Sequence, residues 1–326
     1  MNYEVLITGV ILILCWAVLA VADAAVAGLC ALLGGARFRT VFLWGLLALL
    51  IPVIALAYGA LLERNWYQVK EVTIDSPSLP ESFDCFRIAQ ISDIHLRSFE
   101  KRAESLRKAV RKLNTLDPDI VCFTGDLISM DVSEMDGLEG ILKDIKAPVY
   151  SVLGNHDYHI YARMKGGADE SVIAAKLGEL KSRERALGWD LLLNESRIIS
   201  RGGDSLAVIG VENTSASGHF PSHGDLQSAT EGTERCFRVL LSHDPTHWDM
   251  EVAGKDIPLM LSGHTHAMQF SLFGWCPSRY IFRQYRGLYT EGNQALYVNI
   301  GLGETIFPAR IGARPEITLI TLSRKI

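Results

Sequence analysis

Seven side chains suited to holding metal ions stand just after short apolar runs: Asp93, His95, Asp126, Asn155, His243, His264 and His266. An eighth group, His156, sits beside Asn155. The first piece reads RIAQISDIH, from Arg87 to His95. Ile88, Ala89 and Ile91 make a buried-strand pattern, and Asp93 and His95 follow it. In an extended or turning backbone, residues two apart point the same way, so a carboxylate oxygen and an imidazole nitrogen can converge on one ion. Asp-x-His alone is a weak signal. Its weight comes from the later pieces, Thr124-Gly125-Asp126, Gly154-Asn155-His156-Asp157, Ser242-His243 and Ser262-Gly263-His264-Thr265-His266. Carboxylate, amide oxygen and imidazole are hard or borderline ligands with no thiolate among them, a mixture that suits Mn²⁺, Fe or Zn²⁺. Buried together without cations, so many polar groups would repel one another or stay unsatisfied.

Positioning such groups requires several strands that end on one side. Apolar strand patterns at Ile88–Ile91, Ile120–Phe123, Val149–Leu153, Phe237–Leu241 and Pro258–Leu261 supply them. Helical spacing of Ala103, Leu106, Val110 and Leu113 predicts a helix over Phe99–Leu116, stopped by Asp117-Pro118. A further helix is expected over Val132–Ile145. Alternation of strands with helices argues for a parallel sheet covered by helices, with the ligand rim outside the carboxyl ends of its strands. The glycines at 125, 154 and 263 are expected to turn the backbone tightly so that the next side chain faces the rim. Tyr158–Gly188, with its MKGG segment and a polar helical stretch from Glu170, reads as an insertion beside the site. Strands joined by an Arg201-Gly202-Gly203 turn, a short helix near Asp225 and strand-like runs from Ala295 to Leu322 complete the pattern.

These ordered pieces resemble the calcineurin-like metallophosphoesterase superfamily from about Arg87 to the C-terminus. Ser242–Asp249 (SHDPTHWD) and the FPARIGARPEIT tail resemble its membrane-anchored, YkuE-type branch. The resemblance implies an α/β fold, a two-sheet sandwich (α/β/β/α), and a binuclear site. Asp93, His95, Asp126 and His266 would hold one ion, and Asp126, Asn155, His243 and His264 the other. Asp126 would bridge, since a carboxylate has two oxygens. The nucleophile would be a metal-bridging hydroxide, with His156 hydrogen-bonding the phosphoryl group or protonating the leaving oxygen. Asp157 would orient His156 or cap the turn. Some relatives orient that histidine with an aspartate three residues after the bridging one; here the position is Ser129, and Asp131 is out of register. Ala267 stands where close relatives often have glycine.

At 326 residues and a formal net charge of −5, the chain offers no basic surface for nucleic acid, so an anionic substrate needs bound cations. Its six cysteines form no Cys-x-x-Cys pair and predict neither a disulfide framework nor a thiolate metal site. Val5–Gly35 and Val41–Leu62 are apolar runs of the length that spans a bilayer, interrupted by Asp23. Together they predict a membrane anchor over residues 1–64, followed by a connector over 65–86 with an edge strand at Val69–Ile74, and the resemblance implies a metallophosphoesterase domain over 87–326. Arg37 and Arg39 between the runs favour a cytoplasmic loop and a domain on the outer face of the cytoplasmic membrane, whereas Arg64 and Lys70 oppose it. The anchor places the rim near lipid headgroups, which favours a lipid-linked pyrophosphate. The resemblance extends to cleavage of UDP-2,3-diacylglucosamine in lipid A synthesis, a cytoplasmic substrate. The rival readings are an outer-face phosphodiesterase of small esters and a non-catalytic, metal-stabilised scaffold. His159, His219, His223 and His247 stay outside the metal shell, although His219 and His223 lie in a loop that could touch substrate. Arg310 would clamp a phosphate oxygen or form a structural salt bridge, and Trp248 and Trp275 read as packing or interfacial residues.

Overall fold

The computed structural model describes residues 3–159, 169–305 and 307–325. Two six-stranded sheets lie face to face. The first has the order β1-β12-β2-β3-β4-β5 and the second β10-β11-β9-β8-β7-β6. In the first, β2 (Arg87–Ile91), β3 (Ile120–Phe123), β4 (Val149–Ser151) and β5 (Asp190–Leu191) run parallel. The last strand, β12 (Glu316–Arg324), is antiparallel to β2 and parallel to β1 (Gln68–Ser76), so the expected edge strand forms at the sheet's margin. In the second sheet β7 (Asp204–Gly210), β8 (Phe237–Leu241), β9 (Leu259–Ser262) and β11 (Gln294–Val298) run parallel. The strands β6 (Glu195–Arg201) and β10 (Gly287–Glu291) flank them antiparallel.

Strand alternation divides the side chains between two cores. Ile88, Ile120, Cys122, Val208, Val239, Leu241, Leu259, Leu261 and Ile320 fill the space between the sheets. Their neighbours Ala89, Ile91, Val121 and Phe123 face the other way, against Leu106, Ala109, Val110 and Leu113 of a helix over Ala103–Thr115. On the outer face of the second sheet, Ala207, Ile209, Leu240, Met260 and Leu296 pack on Trp248, Val252 and Leu226. Helices therefore cover both outer faces, the α/β/β/α sandwich that the resemblance implied. Trp248 is core, as read. The helix expected over Val132–Ile145 is instead a 3₁₀ turn at Val132–Met135 and a short helix at Glu139–Leu142. Asp136-Gly137 breaks it, with Gly137 at φ 77°.

The N-terminal runs form α1 (Tyr3–Leu32) and a second helical arm, α2 (Phe38–Gly45) and α3 (Leu50–Leu61), joined by a 3₁₀ turn. Both are long and apolar enough to cross a membrane and are almost wholly unburied by the rest of the chain. The Asp23 carboxylate faces the second arm at Gly45, where a Cβ would collide with it. The end of this N-terminal segment is docked on the sandwich: Glu63 accepts from Gly312 N at 2.9 Å, and Arg64 donates to the Pro308 carbonyl at 2.8 Å. Arg314 stacks 3.8 Å above the Trp66 ring. The MKGG part of the expected insertion lies outside the described residues; its helix runs from Glu170 to Ala186, capped by Asp169. All six cysteines are free thiols.

Candidate metal centre

The loops that follow β2 and β3 continue the sheet ladder past the last strand residues. Asp93 N donates to Gly125 O at 2.9 Å, His95 N to Asp126 O at 3.1 Å, and Leu96 N to Leu127 O at 2.9 Å. In the second sheet Gly263 N donates to His243 O at 2.9 Å. Across the two sheets, the buried Gln90 amide reaches Ser262 O at 2.9 Å, directly beneath the rim. Strand ends from both sheets thus arrive at one place.

Five of the predicted residues pay a local conformational cost to face inward. Asp93, His95, Asp126, His264 and His266 all have φ between 46° and 73°. That left-handed region is sparsely used by non-glycine residues and gathers at functional sites. Gly125 behaves as expected, at φ 93°. Gly154 and Gly263 do not: neither has positive φ, and each is needed for space. A Cβ on Gly154 would sit 2.6 Å from Asp126 N and would collide with that residue's carboxylate. On Gly263 it would meet Ser92 and the Asp93 carboxylate.

The donor atoms form two adjoining groups. In one, Asp93 Oδ1 lies 3.1 Å from His266 Nε2, which lies 3.0 Å from His95 Nε2. In the other, Asn155 Oδ1 lies 2.7 Å from His264 Nδ1 and 3.1 Å from His243 Nε2. Asp126 joins them through a single oxygen. Its Oδ2 is 3.6 Å from His95 Nε2 and 3.2 Å from His243 Nε2, while Oδ1 accepts the His156 backbone N–H at 2.8 Å. Oδ2 therefore faces both groups, while a backbone donor holds Oδ1. All seven predicted ligands come together, nearly or fully buried, and His156 lies beside them with its ring 4.7 Å from that of His95.

Protonation favours ligation at Asp93, Asp126, His95 and His264, while His243 must shed a proton to bind a cation. Burial alone would raise Asp93 and Asp126, but the surrounding imidazoles, His266 at Asp93 and His243 at Asp126, hold both below the usual carboxylate range. Burial and then neighbouring imidazole charge keep His95 well below its ordinary value, so it stays neutral. His264 is lowered by burial. At His243 burial also lowers, but the charge of Asp126 outweighs it and holds the group up to about 10 without a cation. The donor at His243 Nδ1 points to Thr124 O at 2.7 Å, which aims Nε2 at the cluster. Two carboxylates, an amide oxygen and four imidazoles whose lone pairs converge at 2.7–3.6 Å are the chemistry of divalent metal coordination, and the residues fit such ions.

Asp157 caps the turn and does not orient His156. Its Oδ2 accepts Asp126 N and Gly154 N at 2.9 and 2.8 Å, and its Oδ1 accepts Leu127 N and Ile128 N at 3.0 and 3.1 Å. Burial, and then Asp126 and Glu184, raise its proton affinity; the backbone donors oppose that, and with both oxygens occupied no acceptor remains for an O–H. His156 is oriented by backbone instead, with Nδ1 2.8 Å from the Ser129 carbonyl oxygen. The absent aspartate at position 129 is thus replaced by a peptide carbonyl, and the Ser129 hydroxyl lies 3.3 Å from His95 Nδ1.

Sequence reading overlooked Glu134. Its buried carboxylate accepts N–H groups from Arg97, Ser129, Met130 and Asp131 at 2.7–3.2 Å and so fixes the loop after Asp126. The signal was present as a capping box, Asp131 to Glu134. Among the described residues Arg310 forms no salt bridge, and its donors are spent on the interior and not on a phosphate clamp. It is fully buried and donates to the carbonyls of Ile300, Gly303 and Ala313, with Nη2 3.3 Å from His266 Nδ1. His247 is structural, between Ser242 Oγ and Glu251. His219 is exposed, and His223 faces the Tyr158 ring at 5.4 Å. The Phe220 and Phe282 rings stand edge-on to His264 at 5.2 and 5.5 Å and form an aromatic lip.

Residues 86–268 match the calcineurin-like phosphoesterase family. Among curated relatives, the metallophosphoesterase YkuE of Bacillus subtilis is 32% identical over 81% of this chain and 88% of its own length. The "transmembrane protein with metallophosphoesterase domain" of Danio rerio is 31% identical over 85% of this chain and 62% of its own length. The UDP-2,3-diacylglucosamine pyrophosphatase LpxG of Chlamydia trachomatis is 27% identical over 77% and 88%. This chain belongs to the calcineurin-like phosphoesterase family, in its YkuE-type branch, and is a metal-dependent phosphoester hydrolase.

Proposed function

We propose that the chain is a binuclear phosphoesterase, anchored by residues 1–64, that hydrolyses a lipid-linked phosphoester or pyrophosphate. The observation that carries this is the shared position of Asp126 Oδ2 between two groups of convergent ligands. In this reading Asp93, His95, Asp126 and His266 hold one ion and Asp126, Asn155, His243 and His264 the second, with Mn²⁺, Fe or Zn²⁺ as candidates. Such ions, when bound, acidify a water and neutralise phosphate charge. The chain's own part is positional. Asp157 and Glu134 accept eight backbone N–H groups, six of them in the loop after β3, which sets Asp126 and Ser129 in place. The Ser129 carbonyl turns the His156 ring so that Nε2 can meet a phosphoryl or leaving oxygen and pass it a proton.

A lipid-linked substrate is supported by the docked anchor and by the likeness to a pyrophosphatase named for a diacylated sugar nucleotide. Two membrane passes of a cytoplasmic membrane, with Arg37 and Arg39 in a cytoplasmic loop, would put the sandwich on the outer face. Arg64 opposes that placement less strongly than its sequence position implied, because it is tied to Pro308 and lies 4.0 Å from Glu304. A nucleotide-linked substrate would require the cytoplasmic face. Reporter fusions after the last residue separate the faces. Hydrolysis assays on full-length protein with Mn²⁺ test the substrate: release of UMP or lipid phosphate supports the proposal, and turnover of small esters alone would return it to a general phosphodiesterase.

A further inference from the structure

The metal centre makes no use of Phe270–Ile281, the stretch that leads up to Phe282 of the aromatic lip. Leu272 and Trp275 pair across a two-residue hairpin whose tip is Phe273-Gly274. Phe273 has φ 47° and is 99% exposed. An aromatic ring gains nothing in water there, and its backbone conformation favours glycine. The hairpin is nevertheless built: Arg286 donates to Ser271 Oγ at 2.9 Å and to Gly274 O at 3.1 Å. Leu272, Trp275, Tyr280 and Ile281 are also exposed, and Arg279 stacks on the Tyr280 ring. Tryptophan and tyrosine with nearby arginine suit a lipid–water boundary, especially one with anionic headgroups.

Both ends of this stretch are tied to informative places. At one end Phe270 bridges to Ile311. With Phe307 they face Ile11, Leu12, Pro52 and Leu56 of the anchor across a wholly apolar cavity of about 240 Å³. Leu56 and Pro52 lie five and nine residues before the end of α3 at Leu61, or about 8 and 14 Å along the helix axis. The segment therefore starts beside the anchor at a depth inside its apolar span. Gly59 permits the approach, since a Cβ there would be 2.6 Å from Arg310 O. At the other end Phe282 meets His264.

We infer that the Leu272–Trp275 hairpin inserts into the leaflet beside the anchor and holds the metal rim at headgroup level. The enzyme would then take its phosphoester from lipid within that leaflet, not from bulk solution. The substrate clause rests on the function proposed above; the insertion itself does not. The test uses full-length protein in nanodiscs of phosphatidylcholine and phosphatidylglycerol doped with a carbene-generating phospholipid. Mass spectrometry should find label on the 272–275 peptide as well as on the N-terminal helices. Phe273→Asp, and Phe273→Gly, which keeps the turn and drops the ring, should each cut hairpin labelling about tenfold while the helices label as before. Label confined to the helices, or a hairpin signal unchanged by both variants, overturns the insertion. In parallel, both variants should raise KM for a bilayer-embedded phosphoester about tenfold and leave turnover of a soluble chromogenic diester unchanged. Equal loss on both substrates would overturn the leaflet-delivery role. Absence of any hydrolysis would defeat the hydrolase reading, while the labelling would still decide the hairpin.

Discussion

Replacing Asp157 by asparagine separates a structural carboxylate from its ligand neighbours. Both Asp157 and Asp126 are buried, 31 residues apart in sequence, and joined by a hydrogen bond from Asp126 N. Asp157 receives four backbone N–H groups, two on each oxygen. Asparagine keeps one acceptor oxygen and turns an NH₂ group towards the other pair, so two buried donors lose their partner. At about 1–3 kcal/mol for each unsatisfied buried group, Asp157→Asn should cost about 4 kcal/mol. For a domain of this size that is a fall of about 10 °C in Tm. Asp126→Asn keeps its one backbone partner, His156 N, and faces only imidazoles on the other side. Thermal unfolding in detergent after chelation should therefore show Asp157→Asn strongly destabilised. Metal content should fall further in Asp126→Asn than in Asp157→Asn. A stable Asp157→Asn protein whose only defect is a shifted pH–rate profile would refute this reasoning and return Asp157 to the role of orienting His156.

Other outcomes follow from the same geometry. His156→Ala should lower kcat by about 10²- to 10⁴-fold with metal content unchanged, measured by steady-state kinetics beside elemental analysis. Gly154→Ala removes no ligand but pushes on the Asp126 carboxylate, so metal affinity should fall by about 10- to 100-fold in a chelator-competition titration. Glu184 is fully buried, and burial pushes its carboxyl up to about 7. Its folded pKa lies above its unfolded value, so the ionised form penalises the folded state. That penalty is absent below about pH 4.5, grows between there and pH 7 and is complete above it. Glu184→Gln should thus stabilise the fold more at pH 8 than at pH 4.5, by an upper limit of about 3 kcal/mol, read as a larger rise in Tm at pH 8; an equal effect at both pH values would argue against it.

The rim was legible because each metal-capable residue directly follows an apolar run, and parallel strands collect their carboxyl ends. Backbone conformation was less so. Asp93 and His95 converge through left-handed φ values, not by simple alternation, and Gly154 and Gly263 serve close approach, not turning. Those facts depend on which loops face each other across two sheets. The place of β12 between β1 and β2 was hidden for a related reason: strand order is set by long-range pairing, and the C-terminal run carries no sign of its neighbours. Arg310 misled because a cation near a phosphate site suggests an anion partner, while here three buried carbonyls receive it. Glu134 and Asp157 look like ordinary loop acids in sequence, and only the fold shows the peptide N–H groups that they gather.

Elemental analysis of purified full-length protein, paired with phosphodiester turnover before and after chelation, bears most directly on the cation pair around Asp126. Two divalent ions per chain are expected, lost together with activity on chelation, restored by Mn²⁺, Fe or Zn²⁺, and absent in Asp126→Asn. Turnover that survives complete metal removal, or Asp126→Asn protein that still holds two ions and full activity, would contradict the account.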